Sequence, residues 1–419
     1  MKTRKAMMCF TAILALVVLG LGGAGPITAI KAGRVVDPAS GTIQASVVIL
    51  VEGRTIKAMG PDLSIPAEAR TIDLSGMVVL PGLFDCHTHV CEMISGAQSF
   101  ALNLRGHYLF ETTLDRTLQG VANLQSFLDS GFTTIRDMGN AGEYGDIALK
   151  KALARGLISG PNFLAAGKII APFAGQNTVN YDNSDYARRD YLYADTRDEM
   201  RKAIRTNIQF GADWIKIVID DQRYIYSADD VRFIVEEAAA AGFKVAAHCV
   251  TEAGAKAAIE GGVATIEHGI IMSDGLLRLA KEKGIWLCGT ELSKEAWAVY
   301  GVANIYGIIV DRLKRARTIG VPMAYGSDLI IDIPGYKRGP AALTIMDSWV
   351  DAGVPAADTL RAMTSDAARM LGMDKVRGVL KPGAAADIIA VPGNPLDDIR
   401  VLRGVKFVMK AGVVYKMPS

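Results

Sequence analysis

Leu80-Pro-Gly-Leu-Phe-Asp-Cys-His87-Thr-His89 is the stretch that decides the fold. An apolar run ends on two histidines one residue apart. Side chains two apart on a strand point the same way, so both imidazoles can reach one ion. The run predicts a strand over Val78–Leu83, with the histidine pair at its carboxyl end.

Downstream the same rhythm repeats. Short apolar strands are predicted at Thr133–Asp137, Asn162–Gly167, Trp214–Val218, Lys244–His248, Thr265–Glu267, Ile285–Cys288 and Val321–Tyr325. Helical patterns such as Ala228–Ala241, Ala253–Glu260 and Asp274–Lys283 lie between them. Eight strands alternating with helices over 76–372 predict an α/β fold, a (β/α)8 TIM barrel, rather than a doubly wound sheet. The flanks read differently. Residues 26–75 and 373–419 are β-rich and broken by turns such as Asp37-Pro38 and Pro392-Gly393-Asn394-Pro395, which predicts one small β-sandwich domain built from both termini.

The composition is globular: 50% of the 419 residues are hydrophobic and 21% are charged. The net charge is +2, and Lys2, Arg4 and Lys5 alone carry three positive charges, so the rest of the chain stands at −1. Such a body has no electrostatic footprint for nucleic acid. Those three cations precede an apolar run, Ala6 to Leu21, that ends in Gly22-Gly-Ala-Gly25. This order predicts a cleaved signal peptide over 1–25 and an exported protein, periplasmic or secreted. A membrane contact follows only if the segment stays uncleaved. Gly20 to Gly25 matches GxGxxG but follows no strand, so it is no dinucleotide site. Neither a Walker-type loop nor a GxSxG elbow occurs. Of five cysteines, Cys9 falls in the export segment, and Cys86, Cys91, Cys249 and Cys288 are too few for a disulfide framework. A Cys86–Cys91 bridge stays open at this point.

The five histidines carry most of the chemical information. His87 and His89 end strand one, His248 ends strand five and His268 follows strand six, while Asp328, in Gly326-Ser-Asp328, follows strand eight. In a barrel these ends open on one face, where active sites are built. Lys216 stands mid-strand in Trp214-Ile-Lys216-Ile-Val218, where a bare ammonium facing a core is costly. A lysine of depressed pKa can take up CO2 as a carbamate, an anionic ligand able to bridge two metals. Singly, each residue has a plainer reading: a satisfied core histidine, a helix cap at Asp328, a buried ion pair at Lys216. Jointly they point to one site. His107, in Arg105-Gly-His-Tyr108, reads as a loop or surface residue, with a substrate-facing role as the alternative.

These motifs, together with Gly131-Phe-Thr-Thr-Ile-Arg-Asp137 and Leu380-Lys-Pro-Gly-Ala-Ala-Ala-Asp387, resemble the amidohydrolase superfamily over nearly the whole chain after residue 25. The chain is most similar to its imidazolonepropionase-related, prolidase-like branch. That branch holds Xaa-Pro dipeptidases, carboxypeptidases acting before Lys or Arg, and ochratoxin-type amidases. The resemblance implies two divalent ions, zinc by expectation. His87, His89 and Asp328 hold one, His248 and His268 the other, with carboxylated Lys216 and a hydroxide bridging them. It implies hydroxide attack on an amide carbonyl, with Asp328 as the catalytic proton carrier.

The expected substrate is a dipeptide or N-acyl amino acid with a free carboxylate. Arg223, Tyr224 and Tyr226, on the loop after strand four, are the candidates to bind it, because a guanidinium and phenols suit a carboxylate. The Gly-Gly-His-Gly loop of relatives is here Ile170-Ala-Pro-Phe-Ala-Gly-Gln176-Asn177, without a histidine. A lactonase or phosphotriesterase activity is one alternative, a single-metal deaminase or imidazolonepropionase another. A homo-oligomer is left open.

Overall fold

The structure is a computed structural model that describes residues 26–94, 100–177, 181–302 and 304–418. The segment expected to direct export, 1–25, lies outside the described residues. Among the described residues no helix is long and apolar enough to cross a membrane.

The two ends of the chain form one seven-stranded sheet. Its strand order is Val413–Lys416, Phe407–Lys410, Ile388–Val391, Arg70–Pro81, Ile27–Asp37, Thr42–Glu52 and Thr55–Gly60. The sheet folds over until its far edge meets the chain just before Ile388: Ile56 N–H donates to Ala384 O at 2.9 Å, and Ala386 N–H to Arg54 O at 2.9 Å. Ile30, Val47, Ile49, Ile72, Val79, Ile388 and Phe407 fill the space between. Burial of such side chains contributes roughly 1.5–3 kcal/mol each.

The first barrel strand is displaced from its expected place. Val78–Pro81 is the end of the long strand Arg70–Pro81 and pairs with Ile388–Val391 of the small sheet. The barrel begins at Leu83–Thr88. The break falls at Gly82, where a Cβ would lie 2.1 Å from Thr133 Oγ1, so only glycine passes. In the sequence only Pro81-Gly82 marks the break, between two apolar runs that read as one strand.

Around the barrel, Leu83–Thr88 pairs in parallel with Phe132–Asp137 and that strand with Asn162–Ala165. Ile215–Val218, Val245–Cys249, Thr265–His268 and Trp286–Cys288 follow, also parallel. Two short strands not expected from the sequence, Ile169–Ala171 and Tyr191–Tyr193, pair with each other beside Ile215–Val218. The expected eighth strand, Val321–Tyr325, is reduced to one bridge between Met323 and Leu287. It still closes the ring, because Ala324 N–H donates to Leu287 O at 3.0 Å and Cys86 N–H to Tyr325 O at 2.8 Å.

The outer helices begin where sequence chemistry places them. Ser227, Thr251 and Ser273 cap Ala228–Ala240, Glu252–Gly261 and Asp274–Glu282, each side-chain oxygen accepting from a first-turn backbone N–H. One open question is answered and one reading corrected. Cys86, Cys91, Cys249 and Cys288 are all free and buried, so Cys86 and Cys91 are not bridged. His107 is neither in a loop nor at the surface: it lies in the helix Phe100–Phe110, buried, with Nδ1 2.9 Å from Glu111 Oε2.

Candidate metal centre

His87, His89, Lys216, His248, His268 and Asp328 come together at the carboxyl ends of the barrel strands. The His87 ring centroid lies 5.3 Å from that of His89 and 5.0 Å from that of His268, and His268 lies 4.4 Å from His248. Asp328 Oδ1 is 3.4 Å from His87 Nε2 and 3.2 Å from His89 Nε2, and its Oδ2 is 3.5 Å from His268 Nδ1. Lys216 Nζ is 3.5 Å from His87 Nε2. Gly326 permits this approach, since a Cβ there would meet Cys288 Sγ at 2.5 Å and His87 Cβ at 2.8 Å.

Hydrogen bonds fix which ring nitrogens are free. His87 Nδ1 faces Glu267 Oε2 at 2.6 Å, and His89 Nδ1 faces the carbonyl of Gly139 at 2.9 Å. Both partners accept only, so both Nδ1 atoms carry a proton, and both Nε2 atoms face Asp328, free to serve as donors to an ion. His268 Nδ1 lies 2.7 Å from Thr290 Oγ1. His248 Nε2 faces Asp221 Oδ2 at 3.2 Å, and Gln176 Nε2 donates to the same carboxylate oxygen at 2.9 Å. Backbone strain is concentrated here. Asp221, His268, Thr290 and Asp328 all have positive φ, at 113°, 65°, 49° and 51°. Such conformations cost about 1–3 kcal/mol each and mark positions that the surroundings hold for a purpose.

The electrostatics suit cations. Burial first, then the Lys216 charge, holds the His87 imidazole far below its usual pKa, so it is a neutral ligand. Burial lowers the Lys216 ammonium. Burial opposes ionisation of Asp328, but His87, His89 and Lys216 outweigh it and keep the group a carboxylate. Burial likewise opposes the His89 imidazolium, yet its hydrogen bond to Asp328 and the nearby acids raise its pKa.

Imidazole nitrogens and a carboxylate are the donor set of a zinc-type ion. The donor atoms of His87, His89 and Asp328 lie within 4.8 Å of one another. A second close trio, His87, Glu267 and Cys288, fits poorly: Glu267 already accepts from Arg136 Nη2 at 2.8 Å and from Thr265, and burial pushes the Cys288 thiol well up. So the residues present fit one ion at His87, His89 and Asp328, with His248, His268 and Lys216 adjoining.

A cavity of about 240 Å³ opens beside this cluster. Asp328, His268, His248, Gln176, Asp221 and Thr290 form its polar side, and Leu292, Trp297, Ile309 and Ile330 part of its apolar side. The residues expected to read substrate are not brought to it. Arg223 is exposed, Tyr224 is 80% exposed, and Tyr226 is buried with its hydroxyl donating to Ala194 O at 2.6 Å.

Glu267 and Arg136, both fully buried, were missed from sequence although each places a charge inside an apolar strand, the signal that singled out Lys216. Gln176 lies in the loop that departs from relatives and Asp221 in the loop after strand four, with nothing in their types to select them.

The profile of the amidohydrolase family matches residues 78–415. Ochratoxinase of Aspergillus niger is 27% identical over 440 aligned positions, covering 94% of this chain and 87% of that protein. Imidazolonepropionase of Symbiobacterium thermophilum is 26% identical, covering 81% of each. Among solved structures, a Xaa-Pro dipeptidase with methionine bound in its active site superposes with a TM-score of 0.83 at 28% identity, over 93% of this chain and all of that one. With its profile match over the whole barrel and the C-terminal strands of the small sheet, this chain belongs to the amidohydrolase family.

Proposed function

We propose that the protein is a binuclear metal-dependent hydrolase that cleaves the amide bond of a dipeptide or N-acyl amino acid. The observation that carries this is the convergence of His87, His89, Lys216, His248, His268 and Asp328 beside a cavity with one polar and one apolar wall. The likeness to an ochratoxinase and to a Xaa-Pro dipeptidase supports an amide as the bond cleaved. Divalent ions at these donors, zinc in this proposal, supply Lewis acidity that lowers the pKa of water and polarises a carbonyl.

The chain's own groups do the rest. Lys216, favoured as a neutral amine by burial, adds CO2 and releases a proton, giving the anionic carbamate that two adjoining cations require. Asp328 lines the cavity as a carboxylate and is the group placed to take a proton from the attacking water and return it to the leaving amine. No Lys or Arg is among the described residues that line the cavity, and one wall is apolar, so the group this wall admits is an apolar side chain. The free carboxylate then lies at the rim. Arg223, two residues beyond cavity-lining Asp221, remains our candidate for that contact.

A second reading, one ion and imidazolonepropionase-like chemistry, is favoured by one observation: among the described residues, His87, His89 and Asp328 form the one compact three-donor group whose facing atoms are not already committed to Arg136 or Thr265. A screen of dipeptides and N-acyl amino acids on zinc-loaded protein, read by amino-acid release, tests the proposal. Release from substrates with apolar side chains supports it; turnover confined to imidazolones, lactones or phosphotriesters overturns it. We also propose export through residues 1–25, to be checked by N-terminal sequencing from the native host: a start near residue 25 supports it, and a start at Met1 refutes it.

A further inference from the structure

The flank of the barrel carries an apolar stripe that the proposed chemistry does not use. Leu109 and Phe110 end the helix Phe100–Phe110 and are 57% and 84% exposed. Leu114 and Leu118, one turn apart on the helix Thr113–Asp129, are 75% and 70% exposed, and Ala122, a further turn on, is exposed too. The opposite face of that helix packs inward through Gly120, Leu124, Phe127 and Leu128. It is therefore apolar on both sides, unlike the usual one-sided surface helix. Four large side chains this open present on the order of 500 Å² of apolar surface, near the upper end for a soluble monomer.

We propose that this stripe is a two-fold interface with a second copy of the chain. Three observations favour a second copy over a lipid surface. First, the helix lacks the cations of a membrane-binding helix. Its one basic residue, Arg116, is buried and paired with Asp190 at 2.8 Å, and its exposed charges are Asp115 and Asp129. Second, the spacing is self-complementary. A two-fold axis near Leu118 sets Leu114 against Ala122 of the second copy, with rows of i and i+4 residues interlocking, and brings no two acids of the helices opposite each other. Third, the four side chains of two copies offer together on the order of 1,000 Å² of apolar surface to bury, about the least that a specific interface needs.

Sedimentation velocity of the metal-loaded protein over a dilution series tests this, with hydroxyl-radical footprinting alongside. The expected result is reversible dimerisation, with Phe110, Leu114 and Leu118 protected at high concentration and reactive on dilution. The double variant Leu114→Glu/Leu118→Glu, at positions already open to water, should keep its amide-hydrolysing activity and raise the dimer dissociation constant about 100-fold or more. Leu157→Glu, an exposed leucine off the stripe, should leave assembly unchanged. A protein monomeric at every dilution would overturn the proposal. So would a double variant that assembles as wild type. Protection of the stripe in the monomer, the mark of the chain's own Ala6–Leu21 run as occupant, would also overturn it, as would stripe-dependent binding to phosphatidylglycerol vesicles.

Discussion

Glu267 Oε2 stands 2.6 Å from His87 Nδ1, and the same carboxylate accepts from Arg136 Nη2 at 2.8 and 3.0 Å. All three side chains are buried inside the barrel. Burial works against the charge on Glu267, but Arg136 and Lys216 outweigh it and keep the group ionised. An ionised acceptor at Nδ1 turns the His87 Nε2 lone pair towards Asp328 and raises its basicity. Glu267→Gln keeps the shape and removes the charge. Metal affinity or activity should fall about 10- to 100-fold, with the fold intact by circular dichroism. Unchanged metal content and rate would remove this role.

Lys216→Ala should abolish measurable turnover, and short carboxylic acids should restore part of it by entering the space left beside His87. Carbon-13 NMR of wild-type protein in labelled bicarbonate should give a carbamate signal that the variant lacks. Full activity without that signal would show that the lysine acts bare.

Asp328→Asn removes the proton carrier and one anionic donor together. Its loss of kcat should exceed that of His248→Asn, which removes a donor alone. A positioned acid–base contributes about 100- to 10,000-fold, and the difference should lie in that range. Equal losses would reduce Asp328 to a ligand.

Much of this arrangement could be read in the sequence, for a definite physical reason. A histidine pair at a strand end and a lysine inside an apolar strand are expensive unless they share a ligand, so their positions stand out. Glu267 and Arg136 carry the same signal but compensate each other, and a compensated pair gives single residues no reason to stand out. The loop after Ile215–Val218 was harder. Asp221, at φ 113°, reverses the chain, and Tyr226 N–H returns to Ile219 O at 3.1 Å. The phenol of Tyr226 thus reaches the core, which side-chain type alone does not reveal. The boundary in the merged first strand had a signal, the turn dipeptide Pro81-Gly82, but the apolar residues on both sides of it read as one run.

Arg223→Met tests the one substrate contact kept from that loop. A charge-assisted bond of roughly 1.5–3 kcal/mol corresponds to about 10- to 150-fold in KM, with kcat nearly unchanged if the contact is equal in ground and transition states. C-amidated substrates should suffer the same loss on wild-type enzyme, and the two losses should not add. Equal kcat/KM for free-acid and amidated substrates would exclude carboxylate recognition at this site.

Asp146, away from the metal cluster, makes a stability prediction. Burial raises its pKa from 3.8 to about 6, although Gly167 N–H at 2.8 Å and Ile147 N–H at 2.8 Å favour the anion. Between these two values the folded state holds a proton that the unfolded state has lost, so this group's contribution to stability falls as pH rises from 3.8 to about 6 and is level above. Asp146→Asn removes that slope. The stability of wild type relative to the variant, from urea melts, should therefore decline over this window. A relative stability that rises with pH would reverse the sign assigned to the group.

The most direct test of the metal centre is its stoichiometry. Elemental analysis of protein purified without chelator, combined with stepwise zinc titration of the stripped protein against activity, should give close to two divalent ions per chain, with full activity only at the second. Full activity at one ion per chain would contradict the binuclear site and leave His87, His89 and Asp328 holding a single catalytic metal.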